Sequence, residues 1–285
     1  MAQNTQDIRR RIQGIGSIMQ ITNAMELVAS AKLRKSRENL EKTKPYFETV
    51  YKNINSVLGI SNTKSDLMTE REIKNRAIIL ISSDKGLAGG YNINIVNEVL
   101  NKLKLEDNIN TEIYTTGVRA VDILRRKGII ANTDWTYISE KPTMDEAVSI
   151  GAYFSNKYIE GIYDEVLIAY TKFNSVISLE PQIVKLLPVK GFTNDDKVSK
   201  VEFDFEPSPE VVLTQMIKQY VNVTIYGCLL ESSTSEQASR RTAMENATEN
   251  GEELLEDLRL EYNRARQASI TQEISEIVGG AEALS

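Results

Sequence analysis

Both ends of this chain read as helices too long for the segment between them to bury. The first runs from about Gln6 to Leu58, with no glycine between Gly16 and Gly59 and Pro45 as its one breaker. The usual helical rise makes that roughly 75–80 Å. The second runs from about Pro209 to Ile277, interrupted by Gly227 and Gly251, for roughly 100 Å by the same rise. An ordinary domain is only about 30–40 Å across. The intervening stretch from Arg76 to Leu187 supplies one such domain and not two. The expected layout is a shaft of residues 1–60 and 208–285, a globular domain over 75–190, and a surface linker over 191–207.

Periodicity supports the two rods. Leu33, Leu40, Phe47 and Ile54 recur every seven residues, and Ile8, Ile12, Ile15 and Met19 alternate steps of four and three, as a seam between supercoiled helices requires. Leu254 and Leu258, then Ile270, Ile274 and Ile277, are expected to continue that seam on the second rod. Between them, from Ser232 to Ala247, the chain offers mostly Ser, Thr, Glu, Gln, Arg and Ala. That composition reads as a thin helix with little apolar grip. The first rod is net basic, whereas Glu245, Glu249, Glu252, Glu253, Glu256, Asp257 and Glu261 make the second net acidic. Opposite charge favours pairing of the rods as an antiparallel hairpin. Paired from the domain outward, the second rod outruns the first by ~15 residues, roughly 20–25 Å of helix. Ile270, Ile274, Ile277 and Val278 lie on that overhang, and a bare apolar tip marks a binding surface.

Composition removes several classes of function. With 34 Lys+Arg against 40 Asp+Glu, the net charge is −6, which argues against non-specific nucleic-acid binding. Cys228 is the single cysteine, so an internal disulfide is impossible. Histidine is absent, which removes the commonest general base and rules out Cys/His zinc sites and His-based triads. The longest apolar run, Ala77 to Ile81, is far too short to cross a bilayer. Arg9 to Arg11 are not followed by an apolar core, so no signal peptide is expected. A soluble intracellular chain without a cofactor, metal or catalytic residue is the expectation.

The middle reads as alternating strands and helices. Strands are expected at Ala77–Ile81, Glu112–Thr115, Val166–Lys172 and Ile183–Leu187, with helices at Ile93–Leu103, Val118–Lys127 and Thr143–Glu160. Short βα connections imply a mostly parallel, Rossmann-like sheet. The fold class is therefore mixed α/β, a long antiparallel coiled coil of the terminal helices with an inserted Rossmann-like α/β domain. After the first strand comes Ser82-Ser83-Asp84-Lys85-Gly86-Leu87-Ala88-Gly89-Gly90-Tyr91-Asn92. Glycines there can cradle a phosphate, but the spacing is neither the Walker nor the dinucleotide pattern. A tight strand-to-helix turn is the plainer reading.

At this loop the chain resembles a known family. SSDKGLAGGYNINI resembles the S-[ST]-D-[RK]-G-L-x-G-G loop of the gamma subunit of F-type ATP synthases. QITNAMELVASAKLRKS resembles that family's first helix, and YNRARQASITQEISEIVGGAEAL its most distinctive segment, with I-T-x-E-x-x-E and a closing G-A. The likeness covers essentially the whole chain. Ala88 departs from the cysteine common at its position, and the paired cysteines of light-regulated plastid members are missing.

The resemblance implies a non-catalytic rotor shaft inside a ring of three alpha and three beta subunits. It further implies an epsilon subunit and a membrane c-ring as partners, and a peripheral place on the cytoplasmic face of the cell membrane. By the same resemblance, Arg266 and Gln267 would hydrogen-bond a beta-subunit catch loop. Met25 would face the beta subunits, and Gln237 with Arg240 would belong to a coupling region. Ile270, Ile274 and Ile277 would turn in an apolar bearing. On residues alone two other classes stay open: a phosphate-binding enzyme resting on the glycine loop, and a self-associating coiled-coil scaffold resting on the rods.

Overall fold

The computed structural model describes residues 2–60, 65–190, 206 and 208–282. The expected linker at 191–207 falls almost wholly outside the described residues. The elements in chain order are α1 (Ala2–Ile60), β1 (Asn75–Leu80), α2 (Tyr91–Leu105), β2 (Asn110–Thr115), α3 (Val118–Arg126), α4 (Met144–Ile159), β3 (Glu165–Ser175), β4 (Ser178–Leu187) and α5 (Pro209–Glu282). A short 3-10 turn at Asp66–Met68 was not expected. α1 runs unbroken through Pro45. Pro45 is exposed, so the carbonyl it leaves without a helical donor can face water.

The chain forms two compact units, residues 1–30 with 240–285 and residues 31–239. In the first, the two helix segments run antiparallel. Arg241 Nε approaches Glu26 at 4.0 Å, the hydroxyls of Thr22 and Thr248 meet at 2.7 Å, and Met19 packs on Gly251. Paired residue numbers total 267 to 270, which sets Ala2 near residues 265–268 and leaves the remainder of α5 without a partner segment of α1.

On α1, every fully buried side chain among those described falls on one series: Ile8, Thr22, Ala29, Leu33, Leu40, Val50 and Ile54. Half-buried Ile12, Ile15, Met19, Glu26, Ser36, Thr43 and Phe47 fill the steps of three and four. On α5 the expected seam needs correction. The inward positions are Met244, Thr248, Gly251, Leu255, Leu258, Tyr262, Ala265 and Ser269, whereas Leu254, Ile270, Ile274 and Ile277 are 48–71% exposed. The inward series contains Gly, Ala, Thr and Ser, so hydrophobicity alone selects the wrong stripe.

In the second unit the sheet order is β2-β1-β3-β4. β1 pairs parallel with β2 and β3, through the crossovers α2 and α3–α4, and β4 returns antiparallel to β3. The expected mostly parallel sheet is thus present with one antiparallel edge. The β3–β4 hairpin turns at Val176 and Ile177 without a glycine, and β4 begins at Ser178, ahead of the expected strand at Ile183–Leu187. Ile79, Ile81, Val166 and Ile168 face α4 and α5, and Ile78, Leu80, Leu167 and Ala169 face α2 and α3. Tyr114 anchors an aromatic cluster with Trp135, Tyr153, Phe154 and Tyr163, and its hydroxyl lies 2.7 Å from that of Tyr163. Burial, reinforced by Tyr153 and Tyr163, pushes the Tyr114 pKa up and keeps its phenol neutral.

Arg76 is the largest fully buried side chain, 2% exposed. Its guanidinium donates to Glu165 at 2.6 Å and pairs with Glu106, while Lys185 reaches Glu165 at 2.7 Å and Lys102 reaches Glu106 at 2.6 Å. Removing one member of such a chain leaves an uncompensated buried charge. Arg76→Ala is expected to cost about 3–5 kcal/mol, read as a shift in the urea midpoint, because Glu165 stays buried beneath it. A loss under about 1 kcal/mol would mean the pair behaves as a surface salt bridge.

Candidate functional site

The glycine loop connects β1 to α2 and ties its polar atoms to its own surroundings. Ser82 Oγ donates to the Gly117 carbonyl at 3.0 Å and accepts from the Ala120 amide at 3.2 Å. The Ser83 amide donates to Asn92 Oδ1 at 2.9 Å. Asp84 accepts from the amides of Val118 and Tyr137 and from Ser139 Oγ, at 3.3, 3.1 and 2.7 Å. Gly117 is packed so tightly that a Cβ there would stand 2.2 Å from the Ser82 carbonyl oxygen. Leu87 and Gly89 hold positive φ of 60° and 51°, the left-handed region that a tight turn requires. An anion at this loop would meet the Asp84 carboxylate. The arrangement is therefore a structural turn, as the spacing suggested, and among the described residues no cluster of His, Cys, Asp and Glu could hold a metal.

What the loop does is join. Glu140, on the segment before α4, pairs with Lys32 of α1 and with Lys85 of the loop, the latter at 2.6 Å. From the other side, Ser239 of α5 donates to the Ala88 carbonyl at 2.7 Å. Deeper in, β1 pairs with β3 only as far as Leu80 opposite Ala169, and the Ile81 amide takes the Ala169 carbonyl. Beyond that point β1 turns away into the loop, and the next groups of β3 facing that side belong to Thr171. Two serines of α5 replace the missing strand. The Thr171 amide donates to Ser232 Oγ at 3.1 Å, and Ser235 Oγ donates to the Thr171 carbonyl at 3.0 Å. Because both backbone groups of Thr171 point toward α5, its β4 register partner Pro181 takes a position where a missing amide removes no ladder bond.

This overturns one reading of the sequence. Of the stretch Ser232 to Ala247, read as a thin helix with little apolar grip, the half from Ser232 to Ala238 is tightly held, each residue at most 3% exposed, whereas Glu245 and Asn246 are exposed. Small side chains let α5 approach the sheet closely, and their hydroxyls satisfy backbone groups there.

The residues singled out from the sequence fall in different places. Gln237 is 2% exposed and Arg240 8% exposed, so within this chain neither is a solvated surface residue. Gln237 lines a cavity with Lys32, Ser36 and Glu140. Met25 is half-buried, and the helix register puts it at the level of residues 242–245, about one turn from Arg240. Arg266 and Gln267 are exposed, and Ile270, Ile274 and Ile277 are exposed by 48%, 56% and 71%. Arg266 and Gln267 are neighbours, and steps of three and four lead from them to Ile270, Ile274 and Ile277, so the five lie on one side of α5. Cys228 is buried, and burial raises its thiol pKa well above the usual value, which keeps it unreactive.

Paired long helices with an inserted α/β domain define a stalk-like subunit. The sequence matches the ATP synthase family over residues 4–284. It is 44% identical over 290 residues to the ATP synthase gamma chain of Alkaliphilus metalliredigens, covering all of both chains. It is 45% identical over 303 residues to the sodium ion specific ATP synthase gamma chain of Acetobacterium woodii, again end to end. A chain of the central stalk and c-ring structure of Tetrahymena thermophila mitochondrial ATP synthase is 29% identical, with TM-score 0.59 over 80% of this chain and 99% of that one. A chain of the Euglena gracilis OSCP/F1/c-ring structure shares the fold at TM-score 0.71 and 18% identity, covering 100% of this chain and 95% of that one. The chain belongs to the gamma-chain family of ATP synthases, and as such it is a central-stalk subunit of that complex. No described helix is long and apolar enough to cross a membrane.

Hydrogen bonds from Lys32 and then Lys85 pull the Glu140 pKa from 4.5 to about 2. A depressed carboxyl pKa adds stability that is complete above the unfolded value and lost as pH falls through the folded one. The stability difference between wild type and Glu140→Gln should therefore be constant near neutrality and shrink from about pH 5 toward pH 2, measured as urea midpoints. A difference independent of pH would show that Glu140 does not hold the joint by its charge.

Proposed function

We propose that this chain is the non-catalytic rotor shaft of its ATP synthase. It would couple ion-driven rotation of a membrane c-ring to nucleotide turnover on a surrounding set of three alpha and three beta subunits. An epsilon subunit would complete the stalk on the cytoplasmic face of the cell membrane. The division into shaft segments 1–60 and 208–285, a domain at 75–190 and a linker at 191–207 belongs to this proposal. The observation that carries it is the face of α5 formed by Arg266, Gln267, Ile270, Ile274 and Ile277, which is exposed and lies off the helix-pairing seam. Apolar side chains left bare at one helix end are a binding surface, and the polar pair one turn earlier can hydrogen-bond a moving partner.

Rotation changes which partner meets which face of the shaft. The differential contact energy then shifts each partner's affinity for nucleotide. Absence of histidine from the whole sequence supports a mechanical role. In this reading Arg266 and Gln267 engage a beta-subunit loop, Met25 faces the beta subunits, and the isoleucines turn in an apolar bearing. Gln237 and Arg240, being buried, act by holding α5 in place and not by direct contact.

Charge removal at Arg266 should weaken coupling without unfolding the chain. Arg266→Ala is expected to lower ATP synthesis by roughly a factor of ten, the loss of a charged hydrogen bond, with assembly unchanged. Wild-type synthesis in an assembled Arg266→Ala complex would remove this residue from the coupling contact. Truncation from Ile277 should lower the melting temperature of the assembled complex more than that of the isolated chain. Equal shifts in both would remove the bearing.

A further inference from the structure

Ser232, Ser235 and Ser239 follow each other at steps of three and four, so they share one face of α5. All three bind the backbone of the α/β domain: Ser232 and Ser235 take the amide and carbonyl of Thr171, and Ser239 takes the carbonyl of Ala88. The two partner segments are the part of β3 that runs on past the end of β1, still paired with β4, and the glycine loop into which β1 turns. Around them the helix is small and polar, with Ala238 and Thr234 fully buried. Few large apolar groups stand there to hold the helix by bulk alone. We propose that this serine face is the torsional joint of the subunit, the set of positioning residues that keeps the α/β domain from slipping around α5 under load. The proposal rests on the rotor reading above.

The physical argument is directional. An apolar contact tolerates sliding, because its energy depends on area and not on angle. A hydrogen bond weakens steeply when donor and acceptor rotate apart. Three such bonds on one helix face, two of them gripping both backbone groups of a single strand residue, resist rotation about the helix axis in both senses. A buried Thr171 amide and carbonyl without partners would also be costly, so a slipped state is disfavoured from the sheet side as well.

The test uses the full chain and the assembled complex in vesicles. Hydrogen exchange at the Thr171 amide reads the joint directly. In Ser232→Ala/Ser235→Ala it should speed up by roughly a factor of three to ten, the range one hydrogen bond contributes, with the Ile168 amide unchanged. In vesicles the same variant should keep its ATP hydrolysis rate while ions taken up per ATP, assayed as protons and as sodium, fall at least about twofold. Should the double variant fail to assemble, the partly buried Ser239 decides: Ser239→Ala should lower ions per ATP and Ser239→Thr, which restores the hydroxyl, should return it. Wild-type pumping in assembled serine variants whose Thr171 amide exchanges faster would overturn the joint, as would equal ratios in Ser239→Ala and Ser239→Thr. If Arg266→Ala and the tip truncation also leave pumping and synthesis unaltered, the rotor reading itself falls. If those two respond and the serine variants do not, the joint alone is lost.

Discussion

A helix as long as α1 can bury only a stripe, and along α1 that stripe keeps one phase from Ile8 to Ile54. Steps of three and four average 3.5 residues per turn, short of the 3.6 of a straight helix, so a stripe in constant phase demands a left-handed supercoil. Register in turn is fixed by a few keyed positions. The buried hydroxyl pair Thr22–Thr248 has no equivalent one residue away, and Gly251 admits Met19 where a Cβ would stand 2.6 Å from its Cγ. A single polar seam pair that specifies register at some cost in stability is a known device of coiled coils.

In the second unit the constraint changes character. α5 meets a sheet there, and the sheet presents backbone groups that β1 has abandoned. An apolar helix face would bury the Thr171 amide and carbonyl without partners, at a cost of about 1–3 kcal/mol each. Serine is short enough to let the helix approach and polar enough to satisfy them. The same logic explains Arg76, Glu106 and Glu165: inside the domain, polar groups are tolerated because a chain of partners accompanies them.

Much of this architecture was legible in the sequence because the signals were local. Repeating Leu33, Leu40, Phe47 and Ile54 marked a buried face of α1, and apolar runs between turn residues marked all four strands. The failures share a cause. Ser232 to Ala238 looked solvated because composition cannot reveal that its partner is Thr171, some sixty residues away. Leu254 and the isoleucines looked like seam because they are the most apolar residues near the end, while the true seam there runs through Gly251, Ala265 and Ser269. Glu140 gave no signal at all, since Lys32 and Lys85 are brought to it by tertiary folding alone. Gln237 and Arg240 drew attention only through family resemblance, and their burial moves the question from what they touch outside to what they hold inside.

The separation between seam and exposed stripe has a mechanical meaning. Leu254 precedes an inward position by one residue, which turns it about 100° away from the partner helix, and Ile270, Ile274 and Ile277 lie beyond the residues that α1 reaches. Helix pairing therefore neither consumes nor obstructs this stripe, and the stripe adds nothing to helix pairing. A shaft that must turn needs that independence. Contacts strong enough to stabilise the subunit would pin it at one angle if they faced the surroundings, because a ligand that greatly prefers one state fixes the population there. Directing the keyed, directional contacts inward, to Thr248, Thr171 and Ala88, leaves the outward face with non-directional apolar groups and long solvated side chains. In the rotor reading such a face would trade one set of contacts for another of similar energy as it rotates, while the inward bonds would carry the twist.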